Sequence, residues 1–475
     1  MVELLLINAA HSFLETHQAR PKKSRQNELF LYPPLGMLYV AAAVEQAGFE
    51  VACIDAPAEA LTVEECIDQA CAYDPKIVGI SATTPQARSA VHIARGLREE
   101  LDGKVSVGFG GTHSRLDTEF VSKYPVFDWQ LGNRNANEAA YGEVSVPKIV
   151  RKLLDGHEVK GFIQADPIGD IDSIPFPARH LLDSKLYRTP MYSGTFTALL
   201  TSRGCPWHCT FCAIPALNRR LMYRSAENVK QEIEQCKEQF RLRNFQLVDD
   251  IFLVNKSVSL ATVDAIADCG IHFGFQTRVR LLHMRGEETV EKLAMSGCKE
   301  ISLGIEHGNA QVRFRNGKDF TDAMLKEVVG WCRKYGIETN FFYIIGLIGE
   351  TPETTWNTVN YFKVVEPTYQ EIHLCIPYVG TEIFNYGVQE GLLPMDVWDQ
   401  WIRGESASPP IFIPPTMTRE FMVQAQKEGY KRFYFRPGYM LQRLRRDLFD
   451  WHSLARDCQI ASTLFKGFVR NQENA

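Results

Sequence analysis

Two stretches of the chain alternate short apolar runs with segments whose apolar residues recur at helical spacing. In the first stretch, 3–8, 51–55, 77–81 and 105–108 read as strands, and 35–46, 63–72 and 87–101 as helices. Strands and helices alternating in this way predict a parallel sheet covered on both faces, a doubly wound (Rossmann-like) α/β domain. Such sheets bind ligands at the carboxyl ends of their strands, where the loops here are rich in Gly, Pro, Ser and Thr. The second stretch has strand candidates at 196–201, 245–248, 271–276, 300–305, 339–345 and 371–376. Its helix candidates are 226–240, 257–269, 287–296, 321–335 and 353–365. Repeats of about thirty residues are those of consecutive βα units and predict a partial (β/α)6 TIM-like barrel. An open doubly wound sheet is the alternative. Prolines at 167, 175 and 177 interrupt the rhythm between the two series and mark a linker. After Gly380 the alternation stops, and helix-prone, aromatic sequence broken by Pro409-Pro410 and Pro414-Pro415 leads to a polar tail at 471–475. The expected organisation is a doubly wound domain at 1–150, a linker at 151–190, the barrel at 191–381 and a helical C-terminal domain at 382–475.

Composition narrows the function classes. A chain of 475 residues exceeds one ordinary core. With 45% hydrophobic and 23% charged residues it is globular, and a net charge of −5 argues against a nucleic-acid partner. The dense basic stretches at 20–25 and 442–446 read as solvated faces. No run of eighteen apolar residues occurs, so no membrane span is expected. The first residues lack a basic leader region and read as a buried strand rather than a signal peptide. Twelve scattered cysteines do not form a disulfide framework, and Cys53 and Cys375 in apolar runs read as core residues. A reducing, cytoplasmic location is expected.

One cysteine group differs. In Gly204-Cys205-Pro206-Trp207-His208-Cys209-Thr210-Phe211-Cys212, three thiols fall within eight residues directly after a strand. Thiolates are the soft ligands that iron–sulfur clusters take. A structural zinc site wants four protein ligands, and His208 is the nearest fourth candidate. Zinc, or three unrelated core cysteines, are the alternatives. Three ligands on a four-iron cluster leave one iron open for chemistry.

The pattern Cys-x3-Cys-x2-Cys, with Phe211 before the last cysteine at the first strand of a six-unit βα series, resembles the radical S-adenosylmethionine superfamily over 195–381. The resemblance implies a 4Fe-4S cluster on Cys205, Cys209 and Cys212 whose open iron chelates S-adenosylmethionine. Electron transfer from a donor such as flavodoxin or ferredoxin then yields a 5′-deoxyadenosyl radical. It also implies S-adenosylmethionine contacts: Phe211 in the cysteine loop, Asp249 and Asp250 toward the methionine ammonium, Arg278 toward its carboxylate, Glu306 toward the ribose, Ile345 and Gly346 toward adenine. Helix capping for the aspartates and a surface ion pair for Arg278 are the structural alternatives.

The first domain resembles the cobalamin-binding domain of the cobalamin-dependent (class B) members. The resemblance rests on Pro34, Leu35 and Gly36 after the first strand, Ser81 and Thr83 at the third, and Gly110, Gly111, Thr112 and His113 at the fourth. These residues are the implied cobalamin contacts. The segment 434–439 resembles a recurring element of the same class. No Asp-x-His-x-x-Gly occurs, so the histidine that serves as lower ligand in cobalamin mutases has no counterpart. The acidic-glycine segment usual near the domain's end stands only as 131–138. The implied reaction is methylation of an unactivated carbon or phosphorus of a small-molecule substrate. One S-adenosylmethionine supplies the methyl group through cobalamin and a second supplies the radical. A tetrapyrrole-type oxidative cyclase or hydroxylating enzyme shares these domains. A metal- or cobalamin-binding sensor is the non-enzymatic alternative. Trp398, Trp401 and Tyr378 read as core or as a substrate platform.

Overall fold

The computed structural model describes residues 2–10, 31–187, 189, 192 and 194–441. The basic stretches at 20–25 and 442–446 and the tail at 471–475 lie outside the described residues. Strands β1 (Val2–Asn8), β2 (Val51–Asp55), β3 (Pro75–Ser81), β4 (Ser106–Gly110), β5 (Trp129–Gly132) and β6 (Gly161–Gln164) form a parallel sheet in the order β2-β1-β3-β4-β5-β6. Side chains of β1 alternate between two cores, as the period of a strand requires. Leu4 and Leu6 pack with Met37, Val44 and Val146 of helices Leu35–Gln46 and Gly142–Leu154. Leu5 and Ile7 pack with Cys66, Ala90 and Ile93 of helices Val63–Ala72 and Ala87–Glu100. The strand order reverses beside β1, which opens a crevice at the carboxyl ends of β1 and β3. The range 151–190, read from sequence as linker, supplies the end of one helix and the edge strand β6 before it turns irregular.

Strands β7 (Phe196–Leu199), β8 (Asn244–Leu247), β9 (His272–Thr277), β10 (Cys298–Glu306), β11 (Glu338–Ile345) and β12 (Tyr369–Leu374) form the second parallel sheet in unbroken sequential order. β7 and β12 do not pair, so this is an open barrel with two free edges. Side chains cover both. Arg179 donates to Ala198 O at 2.8 Å on β7. On β12, Gln370 N and Ile372 N donate to the hydroxyls of Tyr434 and Tyr430, at 3.1 and 3.0 Å, from helix Arg419–Tyr434. An edge occupied in this way cannot recruit another strand.

Arg179 is held by Glu232, which is fully buried and also paired with Arg224. Burial pushes the Glu232 carboxyl up, but the two guanidiniums outweigh it and leave it below the usual carboxylate range. Glu232→Ala would strand two buried cations and is expected to cost about 3–5 kcal/mol, read as a lower denaturant midpoint.

The C-terminal segment straps back over the first domain. Trp398, Trp401 and Ile402 enter the core that holds Ala90, Ile93 and Leu97, and Trp398 Nε1 donates to Pro377 O at 2.7 Å. Trp398 and Trp401 are therefore core residues, with Tyr378 stacked beside Trp398.

Candidate active site: two strand-end clusters around one cavity

The cysteine loop leaves β7 through Gly204, whose φ is +96°; a Cβ there would lie 2.3 Å from Arg220 O, so the turn admits only glycine. Cys205, Cys209 and Cys212 are half-buried, and Cys212 lies near enough to the other two to feel their charges. Burial raises the Cys205 thiol and pushes Cys212 up to about 12. The segment at 316–319 clamps the loop from outside. Thr210 Oγ1 donates to Asn316 Oδ1 at 2.6 Å. A Cβ on Gly317 would stand 2.9 Å from His208 O. Arg278 donates to Cys209 Sγ at 3.2 Å, to Gly317 O at 2.5 Å and to Asp319 Oδ1 at 3.0 Å, and lies over Trp207.

Among the described residues, no three His, Cys, Asp or Glu side chains close on a single ion. His208 is exposed and contacts Arg219. A cubane takes one thiolate per iron, so its ligands stand apart around a shared body. Three neighbouring thiols beside the cations Arg278 and Lys318 fit that anionic group.

The other strand ends divide by environment. Asp249 is buried, and its oxygens accept from Thr201 N at 2.7 Å, Ser202 Oγ at 2.7 Å and Thr201 Oγ1. Burial pushes its carboxyl up to about 6. Asp249 thus fastens the turn after β7 instead of facing a ligand, which corrects its reading as a binding group. Asp250 accepts from Gly204 N at 2.7 Å and lines the cavity described below. Arg278 is likewise committed to the cysteine loop. Glu306, at φ +62°, accepts from Lys318 Nζ at 2.8 Å, and that ammonium lies 5.9 Å from the Phe211 ring centre. Glu350 accepts from the N–H groups of Gly346 and Leu347 at 2.7 and 2.9 Å and meets His307 at 3.2 Å. This pins the ends of β10 and β11 side by side. Ile345 is buried in the barrel core, and Gly346 has φ +101°. Lys318, Asp319 and Asn316 were not anticipated. Their sequence signal is a polar, glycine-containing run between two helices, which many loops share.

The barrel lumen below these ends is polar. Glu300 is fully buried, and burial, with the charges of Glu338 and Glu371, pushes its carboxyl up to about 8. A folded pKa raised above the unfolded value means that stability is full below the unfolded carboxylate range. It is lost as pH rises through about 8. Thermal melts are expected to fall more steeply between about pH 5 and 8 in the wild type than in Glu300→Gln.

One cavity of about 450 Å³ joins the two sheets. Pro34, Leu35, Gly36, Ser81, Thr83, Gly110, Gly111 and Thr112 all line it. Its deep part lies between Leu4, Leu6, Met37, Val40, Trp129 and Val146, and Gly79 and Gly108 border it. A Cβ on Gly108 would fall 2.1 Å from the Trp129 ring, so only glycine lets that ring lie against β4 as one wall of this slot. The opposite wall is Leu200, Arg203, Ile214, Leu217, Asn218 and Asp250, from the barrel. His113 is the exception among the expected contacts. It is buried among Phe109 and Phe120, its Nδ1 meets Thr84 Oγ1 at 3.1 Å, and burial lowers it to about 4. No histidine is among the described residues that line the cavity. The segment at 131–138 is ordered by Asn133, whose amide donates to Asn135 O and Glu138 O.

Residues 199–362 match the model of the Radical SAM superfamily, and residues 28–138 match that of the B12 binding domain. Together the two models take in more than half of the chain. The chain belongs to the cobalamin-dependent radical S-adenosylmethionine family. Proteins similar to it include an uncharacterized methyltransferase of Pyrococcus horikoshii, 26% identical, covering 88% of this chain and 91% of the relative. An anaerobic magnesium-protoporphyrin IX monomethyl ester cyclase of Cereibacter sphaeroides is 25% identical, covering 85% of this chain and 67% of the relative. The fold is also that of the radical S-adenosylmethionine methyltransferase TsrM from Kitasatospora setae, solved with cobalamin and a [4Fe-4S] cluster. The TM-score is 0.60 at 18% identity, covering 92% of this chain and 86% of that one. TsrM has also been solved with tryptophan substrate and an S-adenosylmethionine analogue, at a TM-score of 0.62 and 16% identity, covering 92% and 90%. Among the described residues, no helix is long and apolar enough to cross a membrane.

Proposed function

We propose that this family member is a methyltransferase that places a methyl group on an unactivated carbon or phosphorus of a small molecule. One observation carries the reading: a single cavity has the strand ends of the first sheet on one wall and the segment just after the cysteine loop on the other. A methyl carrier and a radical source held at those walls would act on the same substrate. Cys205, Cys209 and Cys212 would hold the cluster. Asp250, Glu306 and Phe211, with the backbone at Ile345 and Gly346, would surround S-adenosylmethionine. Pro34, Leu35, Gly36, Ser81, Thr83, Gly110, Gly111 and Thr112 would hold cobalamin, whose nucleotide base suits the glycine-bordered slot. When bound, the cluster with S-adenosylmethionine supplies a hydrogen-abstracting radical and cobalamin supplies the methyl group. The residues of the chain bind, orient and exclude water. Arg278 positions Cys209, and the Lys318–Glu306 pair fixes the end of β10.

A small one-electron carrier of the flavodoxin or ferredoxin type suits this chain in a reducing cytoplasm. The exposed Arg219, Arg280 and Arg315 stand near the cysteine loop and favour an acidic partner. The tetrapyrrole-type cyclase is the second reading, because a cyclase matches most of the chain. Reconstituted protein incubated with methyl-labelled S-adenosylmethionine and candidate small molecules is expected to leave label in the product. A modified product free of label would replace the methyltransferase reading with the cyclase one.

A further inference from the structure

We infer that Arg115 and Asn218 form a subsite for a primary amide, and that this amide belongs to the rim of the bound corrinoid. The inference rests on the cobalamin reading above. Arg115 follows β4 in the first domain, and Asn218 follows helix Ile214–Leu217, just beyond the cysteine loop. Both line the cavity. Asn218 is 2% exposed; its Nδ2 donates to the Tyr141 hydroxyl at 2.5 Å, and its Oδ1 is buried with no hydrogen-bond partner. The Arg115 guanidinium stacks on the Tyr141 ring at 4.9 Å and donates through Nη2 to Leu217 O, while its Nε is buried with no partner.

Two residues that meet at Tyr141 thus leave one donor and one acceptor unanswered. Each such buried group costs about 1–3 kcal/mol unless a ligand supplies its complement. A primary amide supplies both at once, with its carbonyl toward Arg115 Nε and its N–H toward Asn218 Oδ1. Turning the Asn218 amide over would leave Nδ2 unpaired in place of Oδ1, and the carbonyl of the same primary amide can accept from both donors. A carboxylate would offer no donor to Asn218 Oδ1, and in either orientation of Asn218 it would share the cavity with the Asp250 carboxylate. Primary amides ring the edge of a cobalamin. A substrate amide is the other source of the same chemistry.

The subsite also reaches the cluster loop. Asn218 O accepts from Cys205 N at 3.4 Å, and Leu217 O accepts from Arg115. An amide gripped here would tie cofactor occupancy in the first domain to the backbone that carries the first cluster cysteine.

The test is titration of the full-length, cluster-loaded, substrate-free protein with hydroxocobalamin, followed by absorbance. Asn218→Leu and Arg115→Met are each expected to weaken binding by about tenfold while the iron content stays at the wild-type level. Cobalamins with one rim amide hydrolysed to a carboxylate provide a second readout that does not depend on how well a variant folds. One of them should bind wild type more weakly than cobalamin does, yet bind Asn218→Leu about as well as cobalamin does. Affinities within about twofold of wild type for both variants would overturn the inference. If the variants change only the KM for substrate, the subsite belongs to the substrate and the corrinoid assignment is lost. Wild-type protein that takes up no cobalamin would instead bring down the proposed function, and this inference with it.

Discussion

Replacing any one of Cys205, Cys209 or Cys212 with alanine is expected to reduce S-adenosylmethionine cleavage to background. The loss should be at least about a thousandfold, or ~4 kcal/mol of barrier. The loop has no spare thiol: its three cysteines are the half-buried group at the end of β7. Cys236, Cys269, Cys298, Cys332 and Cys375 are packed in cores where burial holds their thiols protonated. A cluster with two protein thiolates would be lost during reconstitution, so iron content and 5′-deoxyadenosine yield should fall together. Arg278→Met is a useful contrast. It removes the hydrogen bond to Cys209 but no ligand, so the cluster should assemble and lose iron faster than in wild type.

The second large effect is expected in the first domain. Gly110 lines the cavity, and a Cβ placed on it meets no protein atom within 4 Å. Gly110→Leu should therefore fold normally while its side chain occupies cofactor space. Overpacking a filled site costs about 1–3 kcal/mol, which is roughly ten- to a hundredfold in cobalamin affinity. Cluster content and thermal midpoint should stay close to wild type. Gly111→Leu makes a poor probe. Its φ of +89° and the approach of a Cβ to Ala82 N at 2.6 Å would damage the fold itself.

Both candidate sites have local signals in the sequence, and so do most of the elements that carry them. Helices Leu35–Gln46, Val63–Ala72 and Ala226–Phe240 fall where their periodicity ended, and the six barrel strands keep their sequential order. Strands β5 and β6 escaped notice because each has only four residues and is bounded by glycine. Helix Gly142–Leu154 carries Pro147 within it, and Val279–Arg285 is too short for its period to register. The helix expected at 353–365 ends at Val359, followed by a short 3-10 turn.

The cysteine spacing and the glycine loops are contiguous, so they could be read directly. His113 and Asp249 have plausible residue types at plausible strand ends, yet packing turned the first into a phenylalanine core and the second onto a neighbouring turn. Such directions are decided by side-chain packing, which spacing does not encode. The pairs Lys318–Glu306, Arg278–Cys209 and Arg115–Leu217 bring together residues 12, 69 and 102 positions apart. No local pattern announces partners at that separation.

The central claim is that one chain holds an open-sited iron–sulfur cluster and a cobalamin against a common cavity. The most direct measurement is metal and corrinoid content after anaerobic reconstitution with iron, sulfide and hydroxocobalamin. The account predicts about four irons and about one cobalamin per chain, with the iron lost in the cysteine variants and the cobalamin lost in Gly110→Leu. About one zinc per chain with no bound corrinoid would contradict it.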